Sequence, residues 1–216
     1  MHLLSVNLGT PQPMNRGGKV EIITGIYKHT TPNPVQINAL GLEGDNVMNK
    51  KHHGGPDQAV YVYGDIDYAW WGTQLGHDLE PGMFGDNLTI SGLESAPLHI
   101  GDRLHVGEVI LEITSPRIPC VTLATRMGDP TFVKRFRAAE RPGLYCRVIQ
   151  TGCVQAGDAV RLEPYTGDVL ITAGEMFRLY YENPISEGEL RRLLAAPIAI
   201  RARTENEEKL AEILAG

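Results

Sequence analysis

Glycine and proline, 24 and 14 of them in 216 residues, are scattered along this chain rather than gathered into one stretch. Proline fixes φ at about −65° and removes a backbone donor, while glycine opens conformations that other residues avoid. A chain punctuated in this way folds through many turns between short strands, not through a disordered linker. Its stiffest point is Ser115-Pro116-Arg117-Ile118-Pro119-Cys120, where each proline also pushes the residue before it toward extended geometry. Upstream, residues 104–113 read as two strands; downstream, residues 121–127 read as the start of a helix. A thiol held at a strand end by such a turn can act as a sulfur ligand or a nucleophile. It can equally be a small buried hydrophobe.

A chain of this length holds one large domain, or a medium domain with a small appendage. Its hydrophobic share of 42% and charged share of 21% are those of an ordinary soluble globular protein. The net charge of −6 argues against a nucleic acid polymer as the main partner, because phosphate binding needs concentrated lysine and arginine. No apolar run approaches the ~20 residues needed to cross a bilayer, so no membrane partner is expected. The first eight residues lack the charged flank of a signal peptide. Cys120, Cys146 and Cys153 form no CxxC pair, and an odd count fits reduced thiols better than a disulfide framework. The expectation is a cytoplasmic protein.

Residues 3–8 and 19–27 read as strands on either side of a Pro/Gly-rich loop, and residues 35–40 alternate like a half-buried strand. Residues 59–63 form a β-rich run that enters a helix over residues 65–75, with Asp65 as its N-cap and its aromatic residues toward the core. Gly101-Asp102 and Gly157-Asp158 open alternating runs at residues 103–106 and 159–162. Residues 130–140 read as a basic helix. Residues 143–149 read as a strand whose Leu144, Cys146 and Val148 share one face, which makes Cys146 a core residue. Many short strands, with two or three helices that do not alternate with them, predict a mixed, mainly β fold over residues 1–165, closed or sandwiched. Beyond residue 166 the pattern turns helical. Three capping boxes, Thr172-Ala-Gly-Glu175, Ser186-Glu-Gly-Glu189 and Thr204-Glu-Asn-Glu207, each precede apolar residues at helical spacing, and Asn183-Pro184 and Ala196-Pro197 end the first two helices. This predicts a small three-helix domain over residues 166–216 that docks on the β domain or on a second subunit.

Several loops carry residue types suited to chemistry. His52 and His53 precede Gly54-Gly55-Pro56-Asp57, where two glycines let a backbone approach a ligand and turn amides can face an anion; a solvent-facing loop has the same pattern. Asn87 follows Phe84-Gly85-Asp86 and either binds a ligand or caps its own loop. Asp45 most simply caps the turn after residues 35–40. Arg117 beside Cys120 favours a thiolate and can fork onto a phosphate or an oxyanion; its simpler role is a surface ion pair. The sequence has no GxGxxG, no GxxxxGK[ST], no HExxH and no cysteine array for zinc or an iron–sulfur cluster. Any redox chemistry therefore needs an electron carrier that these motifs do not supply.

Gly41-Leu-Glu-Gly-Asp45, His53-Gly-Gly-Pro-Asp57, Pro81-Gly-Met-Phe-Gly-Asp-Asn87-Leu, Gly92-Leu93, Gly101-Asp102 and Ser115-Pro-Arg-Ile-Pro-Cys120 occur in the order and approximate spacing of a MOSC domain, the molybdenum cofactor sulfurase C-terminal type. The chain resembles most the YiiM-like branch, in which the β domain precedes a "3-alpha" helical domain. Each motif alone is weak; six in order are specific. The resemblance implies a barrel-like β fold that binds molybdenum cofactor, with Cys120 as the protein's sulfur ligand to the metal. It also implies reduction of N-hydroxylated bases and amidoximes, as in relatives such as the mitochondrial amidoxime-reducing component. Phe-Gly-Asp-Asn stands here in place of the more usual Phe-Gly-Glu-Asn, and Ile198-Ala-Ile-Arg201 stands where a tryptophan is often seen.

A soft thiolate suits molybdenum already held by the two sulfurs of the pterin. Cys120 and Arg117 are then the candidate catalytic residues, with Cys120 also the metal ligand. His53, Gly54, Gly55, Asp57, Asn87 and Arg117 are candidates for holding the cofactor or orienting substrate. The expected partners are a separate flavin or iron–sulfur reductase as electron donor and a small N-hydroxylated substrate, and a homodimer is a candidate assembly. Two other readings of the thiol stand beside this one: a non-catalytic carrier of sulfur or of the cofactor on Cys120, and a metal-free hydrolase pairing Cys120 with His53.

Overall fold

The computed structural model describes residues 1–15, 21–46 and 54–215. In chain order, the first strands are β1 (Leu3–Gly9), β2 (Gln12–Asn15), β3 (Glu21–Thr24), β4 (Lys28–Thr31), β5 (Val35–Asn38) and β6 (Gly41–Leu42). A 3-10 turn at Pro56–Gln58 leads to β7 (Val60–Gly64), α1 (Asp65–Leu75), β8 (Leu88–Ile90), β9 (Arg103–Val106) and β10 (Val109–Pro116). Then come α2 (Val121–Arg126), α3 (Phe132–Ala139), β11 (Leu144–Gln150), β12 (Gly152–Val154) and β13 (Val160–Glu163). Three helices end the chain: α4 (Ala173–Leu179), α5 (Glu187–Ala195) and α6 (Ile200–Ala215). None is long and apolar enough to cross a membrane.

Eight strands form the main sheet in the order β13-β9-β10-β11-β7-β8-β1-β4. Its one parallel pair among the described residues, β7 with β8, is the pair whose crossover carries α1. The sheet curls until the head of β1 meets the entrance to β13: His2 bridges Ala159, and the Val160 amide donates to the Met1 carbonyl at 2.9 Å. The ring stops there. Residues 6–9 of β1 are already paired with β4, so only its first residues are left for the segment before β13, and no ladder closes among the described residues. The fold is mainly β with helices, as expected, but it is a curled open sheet rather than a closed barrel.

β10 is the spine of the molecule. Leu111, Ile113, Thr114 and Ser115 are all buried, because β9 and β11 flank the strand and α4 packs across it. The last three helices share the core of the sheet rather than building their own: Met176, Leu190, Leu193 and Ile198 join the cluster that holds Leu111 and Ile113. Backbone bonds tie them down. Ala173 N–H donates to Leu98 O at 2.7 Å and Ala199 N–H to Thr114 O at 3.1 Å.

Several local expectations shift. The Pro/Gly-rich loop contains β2, which pairs with β3; Pro13 is tolerated there because this two-stranded sheet is all edge. Ser115 and Pro116 are the end of β10, opposite Tyr145 and Leu144, so the stiff turn begins inside the sheet. Asp65 is the first residue of α1 rather than its cap, and its carboxylate accepts from the Gly92 amide at 2.7 Å. Thr172 and Ser186 do cap α4 and α5. Thr204 does not cap α6, which begins four residues earlier; its hydroxyl bonds back to the Ile200 carbonyl at 3.1 Å. Ile213 and Leu214 at the end of that helix are exposed.

Candidate active site

Pro119 delivers Cys120 in extended geometry (φ −128°, ψ 168°) to the position just before α2. The thiol borders a cavity of about 380 Å³, together with Arg117, Asn87, Gly54, Lys28 and Tyr145. A volume of this size suits a small molecule or an organic cofactor.

Arg117 is 4% exposed. One guanidinium nitrogen donates to the Phe84 carbonyl, the group lies 5.0 Å over the Tyr61 ring, and its buried Nε has no hydrogen-bond partner among the described residues. Burial alone would favour the neutral form. Tyr145, Tyr61 and Cys120 facing the group more than offset this, and its pKa lies above the usual arginine value. The result is a fixed positive charge inside the protein, beside a sulfur.

The loop that meets Arg117 is held from behind. Gly85 has φ +76°, and a Cβ there would come within 3.0 Å of Ile26, so glycine is required. Phe84 stacks on Tyr63 with ring centroids 4.6 Å apart. Asp86 is fully buried and accepts from Tyr68 at 2.6 Å and Thr89 at 2.8 Å; burial still pushes its carboxyl above the ordinary value. Asn87 locks onto β7, its amide donating to Tyr61 O at 2.7 Å and its side-chain oxygen accepting from Tyr61 N at 3.1 Å. Its Nδ2 donates to Asp45 at 2.8 Å.

Asp45 is more than a turn residue. Its carboxylate accepts from the Gly9 amide at 2.7 Å and lies 2.6 Å from Lys28 Nζ, a pair in which neither side chain is more than 7% exposed. Burial lowers the pKa of Lys28, and Asp45 works against that shift. Lys28 is a cavity residue that sequence reasoning missed. In Lys28-His-Thr-Thr it looks like a surface lysine; the pairing of β4 with β1, the Gly82 turn and Asp45 bury it. Gln58 was missed as well; its buried Oε1 has no partner among the described residues.

The structure brings Cys120, Arg117, Gly54 and Asn87 to one cavity. Gly55 (φ +87°) turns the chain into the 3-10 turn and is not part of the lining. Asp57 faces elsewhere. Its Oδ2 accepts from the Ile200 amide at 2.6 Å at the start of α6, and its Oδ1 lies 3.1 Å from Arg147 Nε, within ion-pair reach. His53, with His52, lies outside the described residues. Cys146 is fully buried in the aliphatic core, where burial and then Glu112 push its thiol far up, while Cys153 is exposed. Cys120 also borders a second cavity, between the turn and helices α4 and α6.

The family model of the MOSC domain matches residues 49–161. Over 160 residues the chain is 37% identical to YflK of Bacillus subtilis (strain 168), covering 74% of this chain and 72% of that protein. It is 34% identical over 169 residues to a protein of Gibberella moniliformis (strain M3125 / FGSC 7600) named as a reductase, covering 76% of this chain but 30% of that one. Among solved structures, YiiM from Geobacillus stearothermophilus superposes with a TM-score of 0.79, over 97% of this chain and 98% of that one, at 22% identity.

Proposed function

Since the chain belongs to the MOSC domain family, we propose that it is an oxidoreductase that binds molybdenum cofactor and reduces N-hydroxylated compounds, with electrons from a separate flavin or iron–sulfur reductase. The observation that carries this reading is the convergence of one soft thiol and one buried guanidinium on a single cavity. The name of the Gibberella moniliformis relative points the same way.

The residues present suit the cofactor. Cys120 offers one thiolate, so a metal seated there brings its other ligands with it, as molybdenum held by a pterin dithiolene does. Arg117 offers a permanent charge and a buried donor with no partner among the described residues, which suits the anionic end of such a cofactor. When bound, the cofactor supplies a two-electron centre for cleavage of the N–O bond. The protein's own part is to fix that centre. Pro116 and Pro119 hold the sulfur, Phe84 O and Tyr61 hold the guanidinium, and Asn87 and Asp45 hold the loop and Lys28 at the cavity edge. The net conversion takes R–NHOH, two electrons and two protons to R–NH2 and water.

Protein expressed with cofactor biosynthesis intact should contain molybdenum by elemental analysis and should reduce benzamidoxime when given a reductase. Cys120→Ser should drop both to background while thermal melting stays unchanged. An active protein purified without molybdenum would overturn the proposal. Bound molybdenum with no reduction across a panel of N-hydroxylated compounds would point instead to the carrier role of Cys120.

A further inference from the structure

The turn that enters the first cavity also holds a helix from the far end of the chain. Gly54, Gln58 and Ala59 line that cavity, and Pro56–Gln58 makes a 3-10 turn between them, stiffened by its proline. Asp57, in the middle of the turn, is not part of the lining. Its Oδ2 accepts from Ile200 N–H at 2.6 Å, across 143 residues of chain. Helix α6 begins there with no side-chain cap of its own in sequence: Ala199 has no acceptor, and Thr204 lies inside the helix. Asp57 supplies the missing acceptor and sets a carboxylate at the positive end of a 16-residue helix. Two other residues fasten the same junction. The Thr114 hydroxyl donates to Asp57 O at 2.6 Å, while its carbonyl accepts from Ala199 N–H at 3.1 Å. Arg147 Nε lies 3.1 Å from Asp57 Oδ1, and its Nη2 donates to Pro197 O at 3.2 Å. Farther along α6, Arg203 donates to Leu194 O and Ala196 O at the end of α5, both at 2.8 Å. Arg201, Ala202 and Glu205, in its first two turns, wall the second cavity on the other side of Cys120. A shift of the helix start is therefore felt on both sides of the sulfur.

We propose that Asp57 is a positioning residue that latches the Gly54–Gln58 turn of the first cavity to the start of α6, so that filling the cavity and ordering the helix start are one linked equilibrium. The inference rests on the reductase reading for the identity of the occupant, and on the hydrogen bonds alone for the latch. Linkage is reciprocal: an occupant that tightens the turn must tighten the start of α6, and a firmer helix start must hold the occupant more strongly. The C-terminal helices are then part of the cavity's frame rather than a separate attachment.

Ile200 is 67% exposed, stands at the first position of α6 and borders neither cavity. Proline suits that position of a helix but has no N–H, so Ile200→Pro cuts the latch from the helix side and leaves the cavity turn untouched. In cofactor-free protein it should keep near-native melting, yet speed amide hydrogen exchange across Gly54–Tyr61 by about fivefold, the scale of a lost cap. Asp57→Ala should speed exchange across Ile200–Arg203 by a similar factor. Asp57→Asn still offers an oxygen to the Ile200 amide and should restore most of that protection. Loading wild-type protein with molybdenum cofactor should slow exchange across Ile200–Arg203, and Asp57→Ala should abolish this response. If the cofactor-free results hold while the wild type contains no molybdenum and reduces nothing, the reductase reading falls and the latch stands. Wild-type exchange across Gly54–Tyr61 in folded Ile200→Pro would overturn the latch; if that variant fails to fold, equal exchange in Asp57→Ala and Asp57→Asn would do so. Unchanged Ile200–Arg203 exchange in loaded wild type would overturn the linkage.

Discussion

Inside the curled sheet, Val6, Ile37, Leu88, Ile90, Leu104, Leu111 and Ile113 bury aliphatic carbon against aliphatic carbon. Behind the cavity, Tyr61, Tyr63, Tyr68, Trp71, Phe84 and Phe136 are buried as well, but each of these rings with a donor spends it on a fixed partner. Tyr61 donates to Pro142 O at 2.8 Å, Tyr63 to Arg141 O at 2.7 Å, Tyr68 to Asp86 at 2.6 Å and Trp71 to Tyr63 at 2.9 Å. Aliphatic burial has no direction, so it holds the sheet without dictating the angle of any one side chain. Rings with polar tips are held at both ends. The aromatic cluster therefore does a second job: it points Phe84, the loop through Asn87 and the Arg117 guanidinium at the cavity.

This contrast can be broken by paired truncations, which carry the largest expected effect. Ile113→Ala in the aliphatic cluster should cost about 2–5 kcal/mol and Phe84→Ala in the aromatic one about 3–5 kcal/mol, read from urea melts. The two should part company at the site. On the proposed cofactor reading, folded Ile113→Ala should keep molybdenum, whereas Phe84→Ala should lose it, because the carbonyl that receives Arg117 is no longer held by its own ring. Equal metal loss per folded molecule would mean the two clusters do the same work.

A smaller effect comes from Tyr68→Phe, which removes one hydrogen bond to buried Asp86 and should cost about 1–3 kcal/mol. Its sign with pH sharpens the comparison. Burial raises the Asp86 carboxyl, so the folded state binds its proton more readily than the unfolded state, and stability falls as pH rises through the folded value. The Tyr68 hydrogen bond favours the carboxylate and opposes that loss. The penalty of Tyr68→Phe should therefore be larger above the pH at which folded Asp86 gives up its proton than below it. An equivalent truncation among the aliphatic residues should show no such dependence.

The mildest test leaves stability alone. Iodoacetamide should label Cys120 and exposed Cys153 in the native protein, while Cys146, sealed among Leu144, Ile113 and Val60 with its thiol pushed up by burial, should react only on unfolding. Native labelling of Cys146 by mass spectrometry would show the aliphatic core to be looser than its packing.

Much of this was legible because it depends on local rules. Alternation predicted strands over residues 35–40, 103–106 and 143–149, which stand at 35–38, 103–106 and 144–150; the capping residues Thr172 and Ser186 gave two helix starts, and the shared face of Leu144, Cys146 and Val148 put Cys146 inside. Thr204 shows where local rules stop. Its capping box is as good in sequence as that of Ser186, but docking on β10 and the Asp57 carboxylate at the Ile200 amide start the helix a turn earlier. Lys28, Gln58 and the role of Asp45 had no local signature, since each becomes a site residue only through contacts with segments distant in sequence.

By itself, then, the sequence determined the strand-rich character and the helical end, because proline geometry and side-chain periodicity act within a few residues of themselves; the six ordered motifs added the family by resemblance. The tertiary structure alone decided that the sheet stays open, that Asp57 serves α6 rather than the cavity, and that Lys28 and Asp45 are buried together. It also decided that Cys120 stands between two cavities, one of them walled by the C-terminal helices. Those outcomes depend on which surfaces compete for the same neighbour and how far water is excluded from charge, and neither is written in any short stretch of chain.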